Sequence, residues 1–146
     1  MAAHDTLVPF VPKLYFNLLR FPGVVVMATD AVKHYLELNR KYLSEGEALL
    51  MKGDPTQAGE KFWGAAAEMV KAVAAKRELE LRTHAELWAF VTKLRDEVKD
   101  PEITRLFGLA GMLHQNFYEA SMPPEAVRDH AEAIKQFINK LDKLTA

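Results

Sequence analysis

A chain of 146 residues, 49% hydrophobic and 27% charged, has the composition and length of one globular domain with a sizeable core. Nineteen Lys and Arg against twenty Asp and Glu leave a net charge of −1, which argues against coating nucleic acid by bulk attraction but leaves room for a local basic patch. With no cysteine there is no disulfide, thiolate nucleophile or cysteine zinc site, a usage compatible with the cytoplasm.

Residues 1–28 read as an apolar arm or short helix, and 29–146 as a helical domain. The stretch LVPFVPKLYFNLLRFPGVVVMA is broken by Pro9, Pro12, Lys13, Arg20 and Pro22. No run reaches membrane thickness, and the charges fall where a signal peptide would be uninterrupted. Phe10, Tyr15, Phe16, Leu18 and Leu19 are too apolar to lie in water. The arm is therefore expected to pack on the body or on a neighbouring subunit in a homo-oligomer, a dimer or higher. Met27 is a second candidate start that would make the arm dispensable.

From Thr29 the apolar residues recur at helical spacing. A first helix is predicted over about 30–52, with Val32, Tyr35, Leu36, Tyr42, Leu43, Leu49 and Leu50 in register and Gly53 as its stop. Asp54, Pro55 and Gln57 have the cap, first-turn proline and third-position Gln of a capping box. The second helix, about 55–77, carries Ala58, Phe62, Ala65, Met69 and Val73 on one face. Gly59, Gly64 and Ala65 to Ala67 make it thin, the mark of a central bundle helix. Thr83 and Glu86 form a second capping box, opening a third helix to about Val98. Asp100-Pro101 opens a fourth, to about Ala120, with Ile103, Phe107, Ala110, His114 and Phe117 on one stripe. Ser121 to Pro124 breaks it, and a fifth helix reaches about Leu144. No segment alternates long enough for a strand. The predicted fold is all-α, an up-and-down antiparallel bundle of about five helices joined by short connections.

That topology gathers polar residues at one end. The end of the second helix, the start of the third, the end of the fourth and the start of the fifth are expected to meet there. His114 and His130 lie at similar depths on either side of the Pro-Pro turn, each about 12 Å down its helix, with Tyr118, Glu119 and Arg128 nearer the rim and His84 close by. As a pocket for a nucleotide, phosphate or RNA end, the cluster has His114 and His130 as acid and base or as phosphate ligands, Arg128 as a phosphate fork and Tyr118 as a stacking ring. The alternative is a set of half-buried side chains bridging helices. Glu60, Gly64, Glu68 and Lys71 form another stripe, either a solvated face with an ion pair or a ligand wall. There is no His pair at i and i+4, no HExxH, no EF-hand and no Gly-rich phosphate loop, so neither a metal nor a cofactor is expected.

Two runs, AAEMVKA at 66–72 and THAEL at 83–87, resemble HEPN domains, small helical bundles associated with nucleotides and RNA. Ala66, Ala67, Glu68, Lys71 and Ala72 match the first run, and Thr83, His84 and Leu87 the second. The chain more closely resembles the archaeal PaREP family, itself similar to HEPN, through Tyr42, Leu43, Leu49, Leu50, Gly53 and Asp54, then QAGEKFWGAA from Gln57, then LHQNFYE from Leu113. These features span residues 30–144. The resemblance implies a binding module for a nucleotide, RNA or a nucleotidyltransferase-type partner, and draws attention to His114, Asn116, Tyr118 and Glu119. The nuclease branch of HEPN places four to six residues between an Arg and a His. Here Arg105 and His114 have eight residues between them, and Arg128 and His130 have one. Arg77 and His84 have six, but at the connection between the second and third helices. A metal-independent, toxin-like RNase with a degenerate motif is therefore the alternative, and a purely structural helical dimer a third reading.

Overall fold

The structure, a computed structural model, describes residues 28–146. The arm over 1–27 and the interface expected of it lie outside the described residues. Five helices follow one another: α1 (Ala28–Met51), α2 (Pro55–Lys76), α3 (His84–Val98), α4 (Glu102–Glu119) and α5 (Pro124–Asp142), closed by a 3-10 turn over Lys143–Thr145. No strand occurs among the described residues, and the all-α bundle is the one the pattern predicts.

Local chemistry explains the boundaries. At the end of α1, Gly53 (φ 79°) donates to Leu50 O and Asp54 N–H to Leu49 O. This is a Schellman stop, with glycine in the left-handed conformation that costs other residues energy. The same two residues begin α2: Asp54 caps it by accepting from Gln57 N–H at 3.2 Å, and Pro55 takes the first position. The reciprocal half of the expected capping box is missing because Asp54 N–H already serves the Schellman stop. The box at α3 is complete, with Thr83 Oγ1 accepting from Glu86 N–H (3.1 Å) and Glu86 Oε1 accepting from Thr83 N–H (3.0 Å).

α2 is the central helix. Thirteen of its 22 residues are buried, against four of 24 in α1, and it touches all four other helices. Its small residues permit this closeness. Tyr42 of α1 lies so near Gly64 that a Cβ there would approach its ring to 3.2 Å, and Gly46 of α1 gives the same room to Phe62. The buried Asn39 of α1 donates to Ala65 O at 2.7 Å. Phe62, Met69, Phe90, Leu94, Phe107, Leu113, Ile134 and Phe137 fill the centre of the bundle. No described helix is long and apolar enough to cross a membrane.

The connection 77–83 differs from the expected short reversal. α2 ends in another Schellman pair, Glu78 N–H to Ala75 O and Leu79 N–H to Ala74 O, with Glu78 at φ 58°. The chain then runs back along α2, burying Leu81. His84, at the start of α3, packs against Trp63, while Glu97 near its end pairs with Arg77 at 2.7 Å. α3 thus runs in the same sense as α2, and its first turn lies about 20 Å back from the end of α2.

Candidate functional site

The turn taken at 77–83 brings the start of α3 beside the first half of α2, and a groove of about 480 Å³ opens between them. Its floor is the α2 stripe of Gln57, Glu60, Lys61, Gly64, Glu68 and Lys71, spaced so that successive residues stack on one face. Tyr42 of α1 and Arg82, Thr83, His84 and Leu87 supply its walls.

At one end of the groove four rings meet. The His114 ring stacks on Trp63 (centroids 5.2 Å apart, 25° between planes), and His84 meets both edge-on, at 5.4 Å from His114 and 5.5 Å from Trp63. Tyr118, 73% exposed, meets His114 edge-on at 5.5 Å. His114 Nδ1 lies 2.8 Å and 3.1 Å from the Glu60 carboxylate oxygens. A carboxylate only accepts, so Nδ1 carries the proton, and Nε2 is the acceptor of the neutral ring. The half-buried Glu60–His114 pair bridges α2 and α4.

Three cations border the same groove, each with a carboxylate neighbour. Lys61 pairs with Glu45 at 3.0 Å, Lys71 with Glu68 at 3.5 Å, and Arg82 with Glu80 at 3.4 Å. The first turn of α3 is not itself vacant for an anion. The Glu86 carboxylate already accepts from Arg82 N–H at 2.8 Å and from Thr83 N–H. Among the described residues no group of three or more His, Asp or Glu side chains stands close enough to hold a metal ion.

The structure brings together only part of the cluster read from the sequence. His84, His114 and Tyr118 converge, and Lys71 lines the groove they border. His130 does not face His114. Its Nδ1 donates to Ala126 O one turn back at 2.7 Å, its Nε2 is covered without a partner, and the two rings make no contact. Glu60, Trp63 and His84 occupy the place beside His114. Asn116 is a buried cap: its Oδ1 accepts from Ser121 N–H (2.9 Å) and Met122 N–H (2.8 Å), which holds the turn after α4. Glu119 is exposed and accepts from Gln115, and Arg128 is exposed outside the groove. Trp63 and Arg82 carry no site reading in the sequence, although Trp63 follows Glu60 by three residues and so shares its helix face.

A family model described as the archaeal PaREP1/PaREP8 family matches residues 34–138. Among solved structures, the crystal structure of a protein from Sulfolobus solfataricus is similar over 75% of this chain and 97% of its own, with a TM-score of 0.67 and 25% sequence identity. No curated protein matches the chain.

Proposed function

The chain belongs to the archaeal PaREP1/PaREP8 family, and from that premise and the groove's geometry we propose that it is a binding module for a nucleotide, free or at the end of an RNA strand. One observation carries this reading. Glu68 and Lys71 from the first HEPN-like run, Thr83, His84 and Leu87 from the second, and Gln57, Glu60, Lys61, Trp63 and Gly64 from QAGEKFWGAA all line one groove. His114 and Tyr118 from LHQNFYE border it. Runs separate in sequence thus meet on one surface, and the HEPN likeness is part of this proposal.

The chemistry suits a nucleotide phosphate at the ring end. Arg82 offers a planar fork, and His84 and His114 donate when protonated. The apolar walls, Leu87 and the Tyr42 ring seated over Gly64, give a base a flat place to lie beside the small residue Ala67. A nucleotidyltransferase-type partner presenting such a ligand fits the same surface. The test is titration calorimetry with nucleoside monophosphates and a short RNA, on the wild type and on Arg82→Ala and His84→Ala. A charge-assisted hydrogen bond contributes about 1.5–3 kcal/mol, so each variant is expected to bind about ten- to a hundred-fold more weakly. Wild-type protein that binds neither mononucleotides nor RNA overturns the reading.

A second reading rests on the Glu60–His114 hydrogen bond beside His84, because two adjacent imidazoles, one oriented by a carboxylate, have the parts of an acid–base pair. It makes the protein a metal-independent RNase. Cleavage of a mixed RNA pool in chelator, lost in His114→Ala, would establish it over simple binding.

A further inference from the structure

We propose that Glu68 selects the ligand's base, and that the groove takes a guanine-type ring edge, in which a ring N–H stands beside an exocyclic amine. This rests on the nucleotide reading above and deepens it. Glu68 lies on the groove floor one turn beyond Gly64, with its side chain 12% exposed. Its Oε1 is 3.5 Å from Lys71 Nζ, at the limit of a hydrogen bond, and its Oε2 is covered and has no donor. A carboxylate is acceptor-only, and a covered oxygen without a donor carries an uncompensated desolvation cost. Glu86 also has a covered oxygen without a partner, but its other oxygen is committed to capping α3 and it does not line the groove. Glu68 therefore gives the groove a covered carboxylate oxygen with no donor.

The terminal carboxylate torsion of Glu is broad, so on ligand binding Oε2 turns into the groove without moving α2. There the two oxygens match two adjacent N–H donors side by side. Guanine has such a pair in its ring N–H and its amine. Hypoxanthine keeps the ring N–H but lacks the amine. Adenine places an unprotonated ring nitrogen beside its amine, which sets a lone pair against the carboxylate. The groove, about 480 Å³, has room for a flat ring, with Ala67 on its floor and Leu87 and the Tyr42 ring, seated over Gly64, as walls.

The experiment is titration calorimetry on the full chain with the monophosphates of guanosine, inosine, adenosine and xanthosine, on wild type and on Glu68→Gln. Guanosine monophosphate is expected to bind wild type at least about tenfold more tightly than the inosine or adenosine forms, the effect of one charge-assisted hydrogen bond. Glu68→Gln replaces one acceptor with a donor. It is expected to lose at least tenfold for guanosine monophosphate and to gain for xanthosine monophosphate, whose ring edge has a carbonyl in place of the amine. Equal wild-type binding of the guanosine and adenosine forms, or unchanged guanosine binding in Glu68→Gln, overturns the selection by Glu68 and leaves nucleotide binding standing. Absence of binding by any of the four and by RNA overturns both. If Glu68→Gln fails to fold, the ranking of the four ligands on wild type decides the matter alone.

Discussion

Asp100 ties three parts of the bundle together through one carboxylate. Its Oδ2 accepts from Lys140 Nζ of α5 at 2.7 Å, and its Oδ1 accepts from Glu102 N–H at 3.0 Å, at the start of α4 and just past α3. The Lys140 hydrogen bond first, and the Glu102 backbone N–H second, hold its pKa below the usual carboxylate value. A folded-state pKa below the unfolded one means that the stabilisation is present above the unfolded pKa. It is lost as pH falls through the folded value. Asp100→Asn keeps the cap acceptor and removes the ion pair, so it is expected to melt below wild type near pH 7. The gap should close in acid. Melting curves for both proteins from pH 7 downward check this, and a gap independent of pH would show that the ion pair is not its source. Asn116 shows the limit of residue-level reading. Its place near the helix end is legible in the sequence, but whether the amide turns outward to a ligand or back to the chain depends on the φ 50° of Ala120, which brings two N–H groups within its reach.

At the scale of elements, the helix boundaries fall within about two residues of expectation, and the end of α1 and the starts of α2 and α3 do so through a stop and caps whose hydrogen bonds span only a few residues. The route of 77–83 is different. Seven residues can either reverse a chain or carry it back along a helix, and Glu78 marks the stop without the glycine that signals one. Close approach between helices is likewise partly legible. The small residues of α2 announce it, but the partner of each does not. Gly46 is the sharp case, since a Cβ there would come within 3.0 Å of the fully buried Phe62 ring. Gly46→Ala gains about 1 kcal/mol of helix propensity but meets an overpacking cost of about 1–3 kcal/mol. A net loss of about 1 kcal/mol is expected. Denaturant unfolding at constant slope measures it, and a stabilised variant would mean that Phe62 moves aside freely.

For the whole molecule, the groove exists because α3 runs beside α2 in the same sense, which puts Arg82, Thr83 and His84 opposite Glu60, Trp63 and Glu68. Assembly is the remaining question at this scale, and we propose that the apolar arm mediates it. Light scattering is expected to find the full chain dimeric or larger and a chain starting at Met27 monomeric. A monomeric full chain removes the interface. An unchanged oligomer after truncation moves it to the helices.

Hydrophobic spacing, a glycine stop and capping boxes determined by themselves that the described residues form a bundle of five helices with α2 at its centre, since each signal acts within a turn or two of chain. They also placed His84 at the start of α3 and His114 near the end of α4, and the short reversing connection between those two helices brings both to one end. Only the tertiary structure decided which groups face those histidines. The end of α2 was expected there, and its beginning is found instead, with Glu60 and Trp63 in contact with His114 and no contact from His130. The physical reason is the path of 77–83. A return of about 20 Å along a helix is set by where Leu81 and the α3 face can be buried against the rest of the core, and that depends on packing among residues distant in the chain.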